Sequence, residues 1–433
     1  MKPNRKKLAA LCLAGTALLT LAACGDDDPN NLLQEKEENT RVVTMYSPME
    51  KTNPDAENIA RSAAEKTIMM AEEQLDVRLE YITYTAENYQ EKTYDDVAID
   101  RIRNHMDDLY LLNPDVIQKM GEENNLADLS GLEATKNLRD VVKTANTVNG
   151  KLVAIPQEVV AYGLFINKDI FDDCKLQLPE TPEEFLECCR VLKEKGYETP
   201  VGANRWWLET FVLAQAYADL YNGGNTAAEI EALNNGTAKY SDYMRPGFEF
   251  LQKMIDLGYI DAKKAYVSEA IEGEGEDFLA QKTPIVMAYW GAANTETIYG
   301  NPSFNLEVIG FPTHLGQMPV MPMTGYGVDV QSEHLEDTLA VLDVILSDEA
   351  LQVYTETNKV ISPSKNVKVD CIPALKPLND RIEEGVFVLG SNAGMKLEQW
   401  GNTCLIVRDL LNGATVDECM EKFAQLQAET LDE

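Results

Sequence analysis

From Val77 to Tyr84 the chain reads VRLEYITY, alternating apolar and polar residues with the period of a half-buried strand. The segments around it change period in turn. RVVTMYS, Arg41 to Ser47, is an apolar run closed by a turn at Pro48, which predicts a strand. Helical spacing runs from near Asp55 to Gln74, with Ile59, Ala63, Ile68 and Met69 on one face, and again from Tyr94 to Met106. DLYLL, Asp108 to Leu112, is a compact buried strand, and Pro114 opens the next helix. Strand, helix, strand, helix, strand in succession predicts an α/β layer with a mostly parallel sheet.

A second α/β unit follows. KLVAIPQEVVAYGLFINKDIF places two apolar strands on either side of Pro156 to Val160. In LPETPEEFLECCRVLKEKG, Thr181 is the predicted N-cap, Pro182 takes the first helical position, Glu184 the third, and Gly196 ends the helix. RWWLETFVLAQAYADLY is helical and begins with Trp206 and Trp207. TPIVMAYWGAAN has a buried strand, Ile285 to Ala288, that delivers Tyr289 and Trp290 to a turn at Gly291. Two helical segments meet near Asp348, and two more lie on either side of Gly413, the second capped by Thr415.

The N-terminus has another character. Lys2, Arg5, Lys6 and Lys7 precede an apolar run from Leu8 to Leu21, too short for the about 20 residues a spanning helix needs. With the small residues behind it, this is the pattern of an export signal over 1–23. Polar residues 25–39 read as a disordered tether, so 24–40 would hold the folded part away from its attachment. The remaining about 390 residues exceed one typical domain.

Charge narrows the partners. The chain carries −34, and removing residues 1–23, with four basic and no acidic side chains, leaves about −38. Such a surface repels nucleic acid and favours a neutral or cationic ligand over an anion. Beyond Cys24, the cysteines are Cys174, Cys188, Cys189, Cys371, Cys404 and Cys419, and none has metal-binding CxxC spacing. Export permits disulfides, but free buried thiols fit equally well. The three histidines form no zinc motif, and no GxSxG, GxGxxG or P-loop occurs. No metal or cofactor is expected.

Several segments, in order, resemble the family 1 extracellular solute-binding proteins of ABC importers, the group of the maltose-binding protein. They are DDLYLLNPDVI, NLADLSGL, NGKLVAIP with GLFINKDIF, LPETPEEFLECCRVLKEKGYETP, DFLAQKTPIVMAYW, LSDEALQVYTETNKVISPSK and LNGATVDECMEKFAQ. LAAC, Leu21 to Cys24, resembles the lipobox of bacterial lipoproteins and implies acylation, with palmitate among the chains, at Cys24. The resemblance implies two α/β lobes closing over a ligand. Lobe 1 would comprise 41–157 and 323–354, and lobe 2 would comprise 158–322 and 355–433. It implies a non-enzymatic monomer anchored on the outer side of the cell membrane, or in a periplasm, that captures a carbohydrate and passes it to permease subunits.

The candidate ligand contacts are Trp290, Trp400, Trp206, Trp207, Glu158, Asn113, Asp115, Tyr46 and Tyr326. Trp290 and Trp400 fall where the family carries aromatics that stack on sugar rings. Trp206 and Trp207 are adjacent at a helix start, so one is expected in the cleft. Asn113 and Asp115 follow a strand and could bond hydroxyls, and Glu158, next to Gln157, could accept two such bonds. Tyr46 follows the first strand. Tyr326, between two glycines, is a hinge residue or a contact. Tyr289 is assigned to packing. Other readings are a polyamine or another cation bound by aromatic boxes and carboxylates, a secreted glycoside hydrolase with two carboxylates, and an adhesin.

Overall fold

In the computed structural model, residues 41–48, 59–85, 92–268, 271–292, 302–368 and 373–432 are described. The export signal, Cys24, the tether and Cys371 lie outside them. Among the described residues no helix is long and apolar enough to cross a membrane.

The first layer is built from β1 (Arg41–Ser47), α1 (Ile59–Leu75), β2 (Val77–Thr83), α2 (Tyr94–Arg103), β3 (Leu109–Leu112) and α3 (Pro114–Glu122). β1 pairs in parallel with β2 and with β3. The sheet is completed by β9 (Gly325–Val328), antiparallel to β3, giving the order β9-β3-β1-β2. α1 packs against α7 (Leu335–Ile345) and α8 (Asp348–Asn358), so late segments return to cover this early sheet.

The second sheet has β4 (Ala161–Asn167) at its centre, buried along its whole length. Its neighbours β6 (Ile285–Trp290), β7 (Leu306–Ile309) and β8 (Val320–Met321) all run antiparallel to it. β5 (Val201–Gly202) and β10 (Val388–Leu389) lie outside, parallel to β6 and β8. This sheet is thus mixed rather than mostly parallel, because β4 enters opposite to every strand beside it. α4 (Pro182–Glu194), α5 (Leu208–Asn222), α6 (Tyr240–Asp256), α9 (Trp400–Leu411) and α10 (Val416–Asp432) belong to this half.

Local signals account for the helix ends. Thr181 Oγ1 accepts the Glu184 N–H at 3.3 Å, and Glu184 Oε2 accepts the Thr181 N–H at 3.2 Å, a complete capping box. Gly196 follows with φ +102°, which glycine adopts without strain. Thr415 and Glu418 repeat the arrangement before α10. Among the described residues Cys174, Cys188, Cys189, Cys404 and Cys419 are free thiols.

The chain passes between the two sheets at residues 155–160, where Ile155 bridges Tyr326 and Val159 bridges Ile361. It returns through 322–324, between β8 and β9. The later passage is expected near Tyr354, but that residue is buried within α8 on the first layer. Residues 362–365 still bond to that layer: Ser362 O accepts from Arg139 Nε, and Lys365 N–H donates to Asn137 O.

Candidate functional site

Strand directions decide where functional side chains gather. β1, β2 and β3 end at Ser47, Thr83 and Leu112, on the edge from which β9 departs. In the second sheet the amino end of β4 faces the carboxyl ends of β5, β6, β8 and β10. The connecting passages join these two edges. Ligands of open α/β sheets bind outside such carboxyl ends.

Three rings line the second edge. Tyr162, near the start of β4, packs against Tyr289 with centroids 5.2 Å apart and against Trp400 at 5.5 Å. Tyr289 and Trp400 are half-buried rather than closed into the core. Gly390 makes this possible, since a Cβ there would lie 2.9 Å from Trp400 Cζ3. Trp206, in the segment after β5, is 41% exposed. The Arg205 guanidinium lies 5.0 Å from its ring centroid, and Asn204 Oδ1 accepts its backbone N–H.

Carboxyl groups accompany the rings. Glu158 lies at the first passage, and its Oε2 accepts the Ala292 N–H at 2.9 Å. Burial pushes this carboxyl up to about 7, against the lowering effect of that one donor. Tyr289, Tyr326 and Tyr354 all feel its charge. From the first layer, Asn113 is exposed at the end of β3 and donates through Nδ2 to Asp95 Oδ1 at 2.9 Å. Asp115, two residues on, is half-buried, and burial together with the nearby charge of Glu398 lifts it to about 7.

Four expected contacts lie elsewhere. Trp290 is 1% exposed: its indole stacks on Phe165 at 5.9 Å, and Nε1 donates to Lys359 O at 2.9 Å. It is a core ring that fastens β6 to the end of α8. Trp207 is 4% exposed and faces the core, which leaves Trp206 as the accessible member of that pair. Tyr46 is fully buried, stacked on Tyr94 at 5.0 Å with Arg101 over its ring at 5.2 Å. Tyr326 is 2% exposed, and its hydroxyl donates to Gln157 Oε1 at 3.2 Å while Gln157 Nε2 donates to Thr67 Oγ1. That seats Tyr326 in the core beside the first passage, closed to a ligand.

The structure adds Tyr289 and Glu398. Strand alternation puts Tyr289 opposite Trp290, and it is Trp290, not Tyr289, that is buried. Glu398, immediately before Gln399 and Trp400, had only its helix-capping spacing to Gly401 and Asn402 as a signal.

Residues 58–352 match the family described as bacterial extracellular solute-binding protein. The melibiose/raffinose/stachyose-binding protein MelE of Bacillus subtilis (strain 168) is 25% identical over 211 residues. That match spans 45% of this chain and 46% of MelE, less than half of either. Among solved structures, the binding protein MsmE of Bacillus subtilis in an open conformation superposes with a TM-score of 0.72 at 18% identity, over 91% of this chain and 98% of that one. Apo RafE of Streptococcus pneumoniae gives 0.72 at 14% identity, over 90% and 98%. A sugar transporter protein of Bacillus licheniformis in complex with stachyose gives 0.67 at 19% identity, over 90% and 100%. These likenesses place the fold among two-lobed, α/β binding proteins.

Proposed function

Because this chain belongs to the family of bacterial extracellular solute-binding proteins, we propose that it is the solute-capturing component of an ABC importer and that its solute is a neutral oligosaccharide. The observation that carries the proposal is the pair of half-buried rings, Tyr289 and Trp400, packed around Tyr162 at the edge where Glu158 lies. Aromatic faces suit the C–H surfaces of sugar rings, and a few convergent polar groups suit their hydroxyls. MelE, named for melibiose, raffinose and stachyose, and a relative's stachyose complex support the same class. The lobes would be 41–157 with 323–366, and 158–322 with the remainder. Cys24 would carry the lipid anchor, and the closed form would dock on permease subunits. Family membership supports a non-enzymatic role.

Calorimetry with raffinose, stachyose, maltotriose and spermidine tests the reading. One of the sugars should bind, and Trp400→Ala should weaken it at least tenfold, about 1.4 kcal/mol. Spermidine binding without sugar binding would replace the solute class. Release of smaller sugars from the panel would overturn the binding-protein reading itself.

A further inference from the structure

Away from the passages, a hydrogen bond joins the two halves directly. Gln118 of α3 accepts the Gly394 N–H through Oε1 at 3.2 Å. α3 begins just beyond the carboxyl end of β3, and Gly394 lies five residues beyond the carboxyl end of β10. β3 pairs with β9 and β10 pairs with β8, so each partner stands one strand out from the passage through 322–324. The bond therefore spans the two edges between which the solute is proposed to lie. Rotation about the passages must part its ends, and a gain of about 0.5 Å is enough to break it.

The turn that carries Gly394 is braced from its own half. Asn234, at the end of the helix Thr226–Asn234, donates through Nδ2 to the Gly394 carbonyl at 2.7 Å. Its Oδ1 accepts the Lys396 N–H at 2.8 Å. Asn392 O accepts the Met395 N–H at 2.8 Å, and Asn392 Oδ1 accepts the Gln399 N–H at 2.7 Å. The backbone turns left-handed at two successive residues, Ala393 at φ 44° and Gly394 at φ 90°. Glycine adopts that region freely, whereas alanine enters it against steric resistance. The shape is thus imposed by the bracing side chains, and it presents the Gly394 N–H to α3. On α3, Gln118 Nε2 donates to Glu122 Oε1 at 2.6 Å, which fixes the amide with its oxygen toward the turn. Beyond the turn the chain runs through Gln399, held by the Tyr217 hydroxyl, into Trp400. The contact and one of the rings proposed to hold solute therefore belong to one braced segment.

We propose that Gln118 and the 391–396 turn form a latch across the cleft, made when the lobes close and broken when they open, which holds part of the solute-free protein closed. The latch rests on the two-lobed binding reading above and sets how readily the site reaches its binding form. A protein whose competent state is only fractionally populated binds more weakly by that fraction. One hydrogen bond of this kind shifts such an equilibrium about two- to tenfold. Removing it weakens capture by up to that factor without touching the solute.

Hydrogen exchange of the solute-free protein, read by mass spectrometry with fragmentation that resolves single amides, follows the bond itself. Gln118→Met keeps the length and helix preference of the side chain and loses the amide acceptor. In this variant the Gly394 amide should exchange at least about twofold faster. The Lys396 amide, held by Asn234 within its own half, should keep its wild-type rate. Small-angle scattering of the same samples should give the variant the larger radius of gyration, with circular dichroism unchanged. Equal exchange at Gly394 overturns the proposal, because the bond then protects nothing. Equal radii overturn it too, because the bond then holds nothing closed. A parallel rise at Lys396 also overturns it, by showing that the turn itself has come loose. No sugar enters the experiment, so failure of the sugar panel leaves its outcome intact.

Discussion

Replacing Trp290 separates packing from recognition. Its indole lies within 20° of parallel to Phe165, and its N–H is spent on Lys359 O. Lys359 sits at φ 55°, closing α8 in the left-handed conformation, so the bond ties the second sheet to the last turn of a first-layer helix. Trp290→Ala removes a buried ring, a change that costs about 3–5 kcal/mol in cores. It also orphans the Lys359 carbonyl, which costs about 1–3 kcal/mol where water cannot reach it. The two terms overlap, so a loss of about 4 kcal/mol is expected. Trp290→Phe keeps an aromatic stack and loses only the donor with part of the volume, so about 1–3 kcal/mol is expected. Urea unfolding measures both variants, and calorimetry with whichever sugar of the panel binds measures what the folded fraction binds. The Phe variant should retain affinity within about threefold, under 0.7 kcal/mol. Wild-type stability combined with lost affinity in both variants would refute the reasoning and restore the ring as a ligand platform.

The adjacent tryptophans should divide in the same way. Trp207→Ala should cost about 3–5 kcal/mol of stability, whereas Trp206→Ala, at an exposed ring, should leave unfolding nearly unchanged and weaken sugar binding. Glu158 should make stability fall with rising pH, because burial raises this acid to about 7 and the folded state resists its ionisation. The contribution is present near pH 4.5 and below, and is lost as pH climbs toward about 7. Glu158→Gln should therefore flatten the melting temperature between about pH 5 and about pH 8 relative to wild type, as scanning calorimetry would show. An unchanged slope would mean that the carboxyl is solvated.

Helix ends were legible because their causes are local. Thr181 with Glu184, and Thr415 with Glu418, satisfy orphan backbone donors within three residues, so spacing alone identifies them. The half-buried strand from Val77 was legible for the same reason, since its two-residue period records one solvated face. The orientation of β4 was not, because antiparallel entry depends on partners such as Met287 and Val308 that are distant in sequence. The rings show the limit most sharply. Period two says that Tyr289 and Trp290 face opposite ways, but only Phe165 on the next strand decides which face is closed.

Two of the misplaced contacts, Tyr326 and Trp290, share one physical cause. Tyr326 follows the return passage and Trp290 ends a strand of the second sheet, and each carries a polar atom that a sugar could use. A hinge, however, has backbone and side-chain groups of its own to satisfy when buried. Gln157 takes the Tyr326 hydroxyl and reaches Thr67, and Lys359 O takes the Trp290 N–H. Their hydrogen-bonding capacity is consumed in joining the halves. Other groups nearby keep part of theirs: Glu158 accepts the Ala292 N–H, and Tyr289 and Trp400 are only half-buried. A buried polar group beside a passage is therefore a packing element first.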